Sequence, residues 1–223
     1  MIAILLAGGR SVRAGIDKAT FELNGEMLVE RHLRQLRAVG VTESMAVCNA
    51  RNEAAIRART GVRTVRQRGD CMSAAILTGI EEADSGAICA VCVNDIVGDR
   101  DYETIFAFPC PEESIVIPTM PLERNFPGGC LDLDVATGAV RRIVEKPEGG
   151  CPVGAAANIM IHRIRGRQLV GSLASLLRDG VEYEAAVNRL IRGGGRAIAV
   201  PIASWVAIKT ADDIARAQAA AAQ

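Results

Sequence analysis

At 223 residues the chain suits one folded unit with a substantial core, and its apolar fraction of 49% is that of a globular protein. Lys plus Arg (26) balance Asp plus Glu (26) and aromatic residues make up 3%, which excludes a general nucleic-acid surface and a base-stacking platform. No apolar stretch approaches the roughly 18 residues of a membrane span, and no cationic leader precedes the first apolar run, so a cytoplasmic location is expected.

The chain opens on an apolar strand, Ile2 to Leu6, which breaks into Ala7-Gly8-Gly9 and then offers Arg10, Arg13 and Lys18. Paired glycines let backbone N–H groups approach a ligand closely, and Arg and Lys suit polyphosphate oxygens. The segment reads as a nucleoside triphosphate cradle. Leu6, Ala7, Gly8 and Gly9 would contribute backbone, and Arg13 and Lys18 would hold the phosphates; Arg10 is a further cation in the loop.

Residues 27–39 carry Leu28, Leu33, Leu36 and Val39 at helical spacing and end at Gly40. A strand over Ser44 to Cys48, a helix over Asn52 to Arg59 and a strand over Val62 to Val65 follow. Asp70 is placed to cap a helix from Cys71 to Glu82, and AICAVCV (87–93) reads as the next central strand. This alternation predicts a mostly parallel sheet with helices on both faces. Asp95 follows that strand, at the end where open α/β sheets bind ligands.

The middle of the chain changes character. SIVIPTM, GGCLDLD and AVRRIVEKP are strand-like, and Thr137-Gly138 joins the last two into an antiparallel hairpin. A strand over Ala156 to His162, helices over 166–178 and 183–192, the strand RAIAVPI, the Trp205 segment and a helix from Ala211 complete the chain. The fold class is α/β: a three-layer Rossmann-like arrangement with a mixed, mostly parallel sheet and a small antiparallel hairpin. One domain over 1–223 is expected, with residues 1–100 as its nucleotide-binding half and 101–223 as its second half.

Seven cysteines are scattered through the chain, and only Cys89 and Cys92 stand close together. Three apart on a strand, they face opposite sides and cannot chelate one metal. No neighbouring histidine completes a zinc set, so the cysteines read as buried, reduced thiols. His32 and His162 receive no role.

With these residues in place, the chain resembles the nucleotidylyltransferases of the sugar-phosphate and molybdenum-cofactor type. LLAGGRSVRAGIDKATFELNGEMLVERHLRQLRAVGV is similar to their opening pattern, nearest in texture to the molybdenum-cofactor guanylyltransferases. RIVEKP (142–147) and SWVAIKTADDIARA are similar to the Glu-Lys-Pro motif and closing segment of the sugar-phosphate branch. RQRGDCMSAAILTG is similar to the segment that helps read the base.

The resemblance implies transfer of a nucleoside monophosphate from an NTP to a small phosphorylated acceptor, sugar-like or phosphonate-like, with release of pyrophosphate. It implies Asp95 as a Mg²⁺ ligand and Gln67 and Gly69 near the base. It further implies Glu145 on acceptor hydroxyls, Lys146 on the acceptor phosphate and Asn158 at the acceptor. No nucleic-acid or membrane partner is expected, and homo-oligomerisation is left open, as are the base and the acceptor.

The chain departs from the family at one place. Relatives carry an acidic or amide residue two to four positions after the closing Trp as a second metal ligand, where this chain has Ala207, Ile208 and Lys209. Lys209 would do part of the metal's work on phosphate, or point away while another carboxylate substitutes, or mark a nucleotide-binding regulatory homologue without catalysis. Guanylyl transfer to molybdenum cofactor is the enzymatic alternative. Asp132 and Asp134, in Asp-x-Asp form, read as a solvated strand face, and Asp212 and Asp213 as the first turn of the last helix.

Overall fold

Three residues of β1 face one core and three face the other, and this alternation organises the molecule. The computed structural model describes residues 1–9, 17–209 and 211–221, without the side chains of 211, 212 and 219–221. The chain runs through β1 (Ile2–Ala7), β2 (Glu22–Leu23), β3 (Glu26–Met27), α1 (Leu28–Ala38), β4 (Glu43–Cys48), α2 (Glu53–Thr60) and β5 (Arg63–Arg66). It continues with α3 (Met72–Ala83), β6 (Ala87–Cys92), β7 (Asp95–Val97), α4 (Asp99–Ala107), β8 (Ser114–Thr119), β9 (Gly129–Leu133) and β10 (Val140–Glu145). The last elements are β11 (Ala156–Ala157), β12 (Ile161–Arg165), α5 (Arg167–Arg178), α6 (Tyr183–Arg192), β13 (Arg196–Pro201), β14 (Trp205–Ala207) and α7 (Ala211–Ala221).

Among the described residues the central sheet has seven strands in the order β13-β8-β12-β6-β1-β4-β5. All neighbours are parallel except β12, which runs antiparallel to both β6 and β8. Ile2, Ile4 and Leu6 of β1 enter a core covered by α3, α5 and α6. Ala3, Leu5 and Ala7 enter the opposite core, closed by α1, α2 and α4. A strand buried on both faces needs this continuous apolar run, and burial of that much aliphatic surface is the main stabilising term.

Small sheets sit on this frame. The expected hairpin is β9 with β10, turning at Gly138 in the left-handed region (φ +71°), and β11 pairs with the other edge of β9. β14 returns from near the end of the chain to pair antiparallel with β7, opposing Ala207 to Asp95 and Trp205 to Val97.

Four sequence expectations are corrected. The cap of α3 is Cys71, whose Sγ accepts the Ala74 N–H, so Asp70 lies outside the helix. The strand expected over Ala156 to His162 is two short strands, with Asn158 in the gap between them. Helix α4 has no counterpart in the sequence reading, because its apolar residues Tyr102, Ile105 and Phe106 were too few to set a period. All seven cysteines are free as expected, but Cys71 is exposed and Cys92 and Cys110 are half-buried.

Candidate active site

The strand order reverses about β1, with β4 and β5 on one side and β6 on the other, and β1 and β6 both end at the same edge. That edge is where open α/β sheets take ligands. Leu6 and Ala7 are buried at the end of β1, which leaves backbone as their contribution. At Gly8 a side chain would overlap the Gln67 carboxamide, so glycine here lets Gln67 close over the loop. Gln67 in turn donates to the carbonyl of Gly69. Arg10 and Arg13 lie outside the described residues.

Both flanks of the opening loop are tied to one residue. Asn52, 2% exposed, donates from Nδ2 to the Ala7 carbonyl at 2.8 Å and to Asp17 at 2.9 and 3.1 Å. Asp17 also accepts the Ala19 N–H at 3.0 Å, just beyond Lys18. Asn49 donates to the Gly8 carbonyl from the same turn, at 3.5 Å. Sequence reading missed these asparagines. Their signal is weak: two polar residues in NARN, of which Asn52 is buried and Asn49 half-buried where the loop returns to them.

A cleft of about 350 Å³ opens beside these elements. Lys18, Asp95, Glu145, Lys146, Asn158 and Lys209 all line it, so residues spread across the chain converge on one space. Gln67 and Gly69 do not line it.

Asp95 stands at the start of β7 and is 7% exposed. Its Oδ1 accepts Trp205 Nε1–H at 3.0 Å and its Oδ2 accepts the Met160 N–H at 3.3 Å. Burial pushes the carboxyl above its usual range, and Lys209, the Trp205 hydrogen bond and Lys18 oppose that push. Trp205 packs edge-to-face on Phe126 with centroids 5.1 Å apart, and Lys209 Nζ lies 4.7 Å from the Phe126 ring centroid. Asp213, in the first turn of α7, accepts the Lys209 backbone N–H at 2.8 Å. Lys209 is among the residues that line the cleft.

The other wall comes from the small sheet. Gly129 of β9 is paired with Glu145 of β10, and its carbonyl accepts the Asn158 N–H at 2.9 Å on the opposite side. A side chain at Gly129 would strike Glu145 Oε2, so the missing Cβ leaves room for Glu145 and Asn158. Lys146 Nζ meets Glu145 Oε1 at 3.0 Å, and Lys146 adopts a left-handed backbone (φ +44°) that an L side chain rarely accepts.

Asn158 is oriented from behind. His162 Nε2 lies 3.0 Å from Asn158 Oδ1, and His162 Nδ1 lies 2.7 Å from Tyr183 Oη. Burial holds His162 down at about 3, so the ring is neutral. An amide oxygen only accepts, which puts the ring proton on Nε2 and makes Tyr183 the donor to Nδ1. The Asn158 NH₂ is left to donate into the cleft.

The decoys lie elsewhere. Asp132 pairs with Arg142 at 3.1 Å, and Asp134 pairs with Arg141 at 3.1 Å and accepts the turn N–H groups of Ala136 and Thr137. Neither lines the cleft.

Among the described residues no group of three or more His, Cys, Asp or Glu side chains is arranged to hold a metal ion. A single buried carboxylate with lone pairs left on both oxygens nevertheless fits Mg²⁺, which takes few protein ligands and completes its shell with phosphate oxygens and water.

The chain is similar to known proteins in sequence and in fold. Residues 3–146 match the model of the MobA-like NTP transferase domain. A probable molybdenum cofactor guanylyltransferase from Opitutus terrae is 38% identical over 87 residues, which span 39% of this chain and 40% of that protein. A Bacillus anthracis structure described as a glucose-1-phosphate thymidylyltransferase superposes with a TM-score of 0.82 at 14% identity, covering 99% of this chain and 95% of that one. The CTP:phosphocholine cytidylyltransferase LicC of Streptococcus pneumoniae gives 0.76 at 12% identity, covering 99% of each chain. At such identities the two structures establish the fold alone.

Proposed function

Because the chain belongs to the MobA-like NTP transferase domain family, we propose that it is a nucleotidyltransferase, moving a nucleoside monophosphate from an NTP to a small phosphorylated acceptor. The observation that carries this reading is the convergence of Lys18, Asp95, Lys146 and Lys209 on one cleft beyond the ends of β1 and β6.

An acceptor phosphate or phosphonate oxygen attacks the α-phosphorus, the bond to the β-phosphate oxygen breaks, and pyrophosphate leaves. The attacking oxygen is already ionised near neutral pH, so no general base is needed. The work is to hold two anions together and to stabilise charge on the leaving group. Gly8 and Gly9 supply backbone to the nucleotide, with Gln67 and Gly69 beside them as base contacts. Arg13 and Lys18 hold the triphosphate. Asp95 would carry Mg²⁺, which when bound offsets triphosphate charge. Lys209 adds a fixed ammonium on the same side, and Lys146, Glu145 and Asn158 address the acceptor.

Guanylyl transfer to molybdenum cofactor is the second reading, favoured by the match to the Opitutus terrae protein, which covers under half of that protein's length. Pyrophosphate release measured with each of four NTPs against a panel of phosphorylated acceptors tests both readings. Nucleotide binding without release in every combination would overturn the transferase reading in favour of a regulatory homologue.

A further inference from the structure

The cleft has an acidic side that the reaction above does not use. Glu184 lies in the first turn of α6, lines the cleft and is 9% exposed. Its carboxylate turns to its own backbone N–H and bonds to no other described residue. The neighbouring acids are satisfied: Glu182 accepts from Ser73 Oγ at 2.8 Å and Glu145 pairs with Lys146. A glutamate in the first turn of a helix is favoured by the helix dipole, and a solvated one would gain that benefit too. Glu184 is instead largely withdrawn from water with only its own backbone N–H as a donor, which is unfavourable unless a ligand supplies a further one.

Its position is rigid. One turn further along α6, Asn188 accepts the Ile143 N–H at 2.7 Å and donates to the Ile143 carbonyl at 2.8 Å. Ile143 lies two residues before Glu145 on β10, on the same strand face, so the clamp sets Glu184 against Glu145. Ser73 fixes the start of α6 by accepting the Tyr183 N–H at 2.9 Å.

Resting on the transferase reading, we infer that the acceptor carries an ammonium group besides its phosphate or phosphonate, and that Glu184 binds that ammonium. Glu145 and Glu182 flank it, and Lys146 keeps the phosphorylated end apart. The acids are not grouped to hold a metal ion by themselves. A quaternary ammonium is usually met by an aromatic cage, whereas Phe126 and Trp205 are engaged with Lys209 and Asp95. An ammonium bearing N–H protons matches a carboxylate that has only lone pairs to offer.

Calorimetric titration of the full chain with 2-aminoethyl phosphate and 2-hydroxyethyl phosphate, with and without nucleotide, tests this. The wild type is expected to bind the amine about 10-fold or more tightly than the hydroxyl compound, as one charge-assisted hydrogen bond allows. Glu184→Gln should remove that preference. Equal affinities, tighter binding of the hydroxyl compound, no measurable binding of either, or a preference that survives in Glu184→Gln would each overturn the proposal. The wild-type comparison suffices if the variant fails to fold. Because binding is read without turnover, an amine preference combined with no pyrophosphate release would uphold the ammonium site and sink the transferase reading.

Discussion

Trp205 Nε1 donates to Asp95 Oδ1 at 3.0 Å, joining the closing segment of the chain to the carboxylate after β6. The bond opposes the upward push that burial gives this carboxyl and fixes one of its two oxygens. Asp95→Asn removes the charge but keeps the shape, and turnover is expected to fall by about 100-fold or more, as for a lost electrostatic contact at the reacting phosphate. Trp205→Phe keeps an aromatic ring beside Phe126 while deleting the donor and part of the indole's volume, with an expected loss of about 10-fold. Pyrophosphate release combined with thermal melting checks both; a Trp205→Phe enzyme at full rate would show that the bond only supports the fold.

Lys209 occupies the place where a second metal ligand was expected. Its ammonium sits over Phe126, which packs on Trp205, which bonds Asp95, so one aromatic pair positions both charges. Lys209→Ala should lower kcat by about 100-fold with little change in stability, since the role proposed for it is an ammonium acting on phosphate in a partly desolvated site. Lys209→Arg keeps the charge and should retain more of the rate. A Lys209→Ala protein that folds and turns over normally would remove the catalytic role.

The parallel strands and their helices were legible because long apolar runs and helical periods leave repeated marks. The cleft was legible where a motif named a residue type: Lys18, Asp95, Glu145, Lys146, Asn158 and Lys209 line it together. Asn52, Gly129 and Glu184 were not, for one shared reason. Each acquires its role from partners distant in the chain, Asp17 for Asn52, Asn158 for Gly129 and the wall of β10 for Glu184. Helix α4 escaped because tertiary packing of Tyr102 and Ile105, rather than a repeated pattern, holds it in place.

Asn52 bonds Ala7 before the opening loop and Asp17 after it. Asn52→Ala leaves the Ala7 carbonyl and the Asp17 carboxylate short of a donor, which should cost about 1–3 kcal/mol of stability. The larger signature is functional. KM for the NTP should rise more than kcat falls, because the backbone of Gly8 and Gly9 is no longer preorganised, while KM for the acceptor stays close to the wild-type value.

Asn158 depends on the neutral His162 behind it. Tyr183→Phe removes the hydroxyl that fixes the His162 tautomer, leaving Nδ1 without its donor. The acceptor KM is expected to rise about 5–10-fold, the scale of one lost neutral hydrogen bond, with nucleotide affinity unaffected. Measuring the two KM values separates this positioning role from general destabilisation, which would move both.

Glu184 gives the protein a pH signature of its own. Burial, reinforced by Glu145, raises its carboxyl from the ordinary 4.5 to about 7, with Glu182 adding to the rise and Lys146 opposing it. Between those values the folded chain keeps a proton that the unfolded chain has lost, so this residue's contribution is complete below pH 4.5 and is lost as pH rises to about 7. A rise of that size corresponds to about 3 kcal/mol. His32 and His162, held by burial at about 4 and about 3, act with the opposite sign, costing stability as pH falls below 6.5. They are the same in Glu184→Gln and cancel in the difference between variant and wild type. Chemical denaturation at pH 5 and pH 8 without ligand should therefore show Glu184→Gln gaining on the wild type as pH rises. A difference that does not change with pH would mean that the Glu184 carboxylate is solvated in the folded protein and needs no cationic partner.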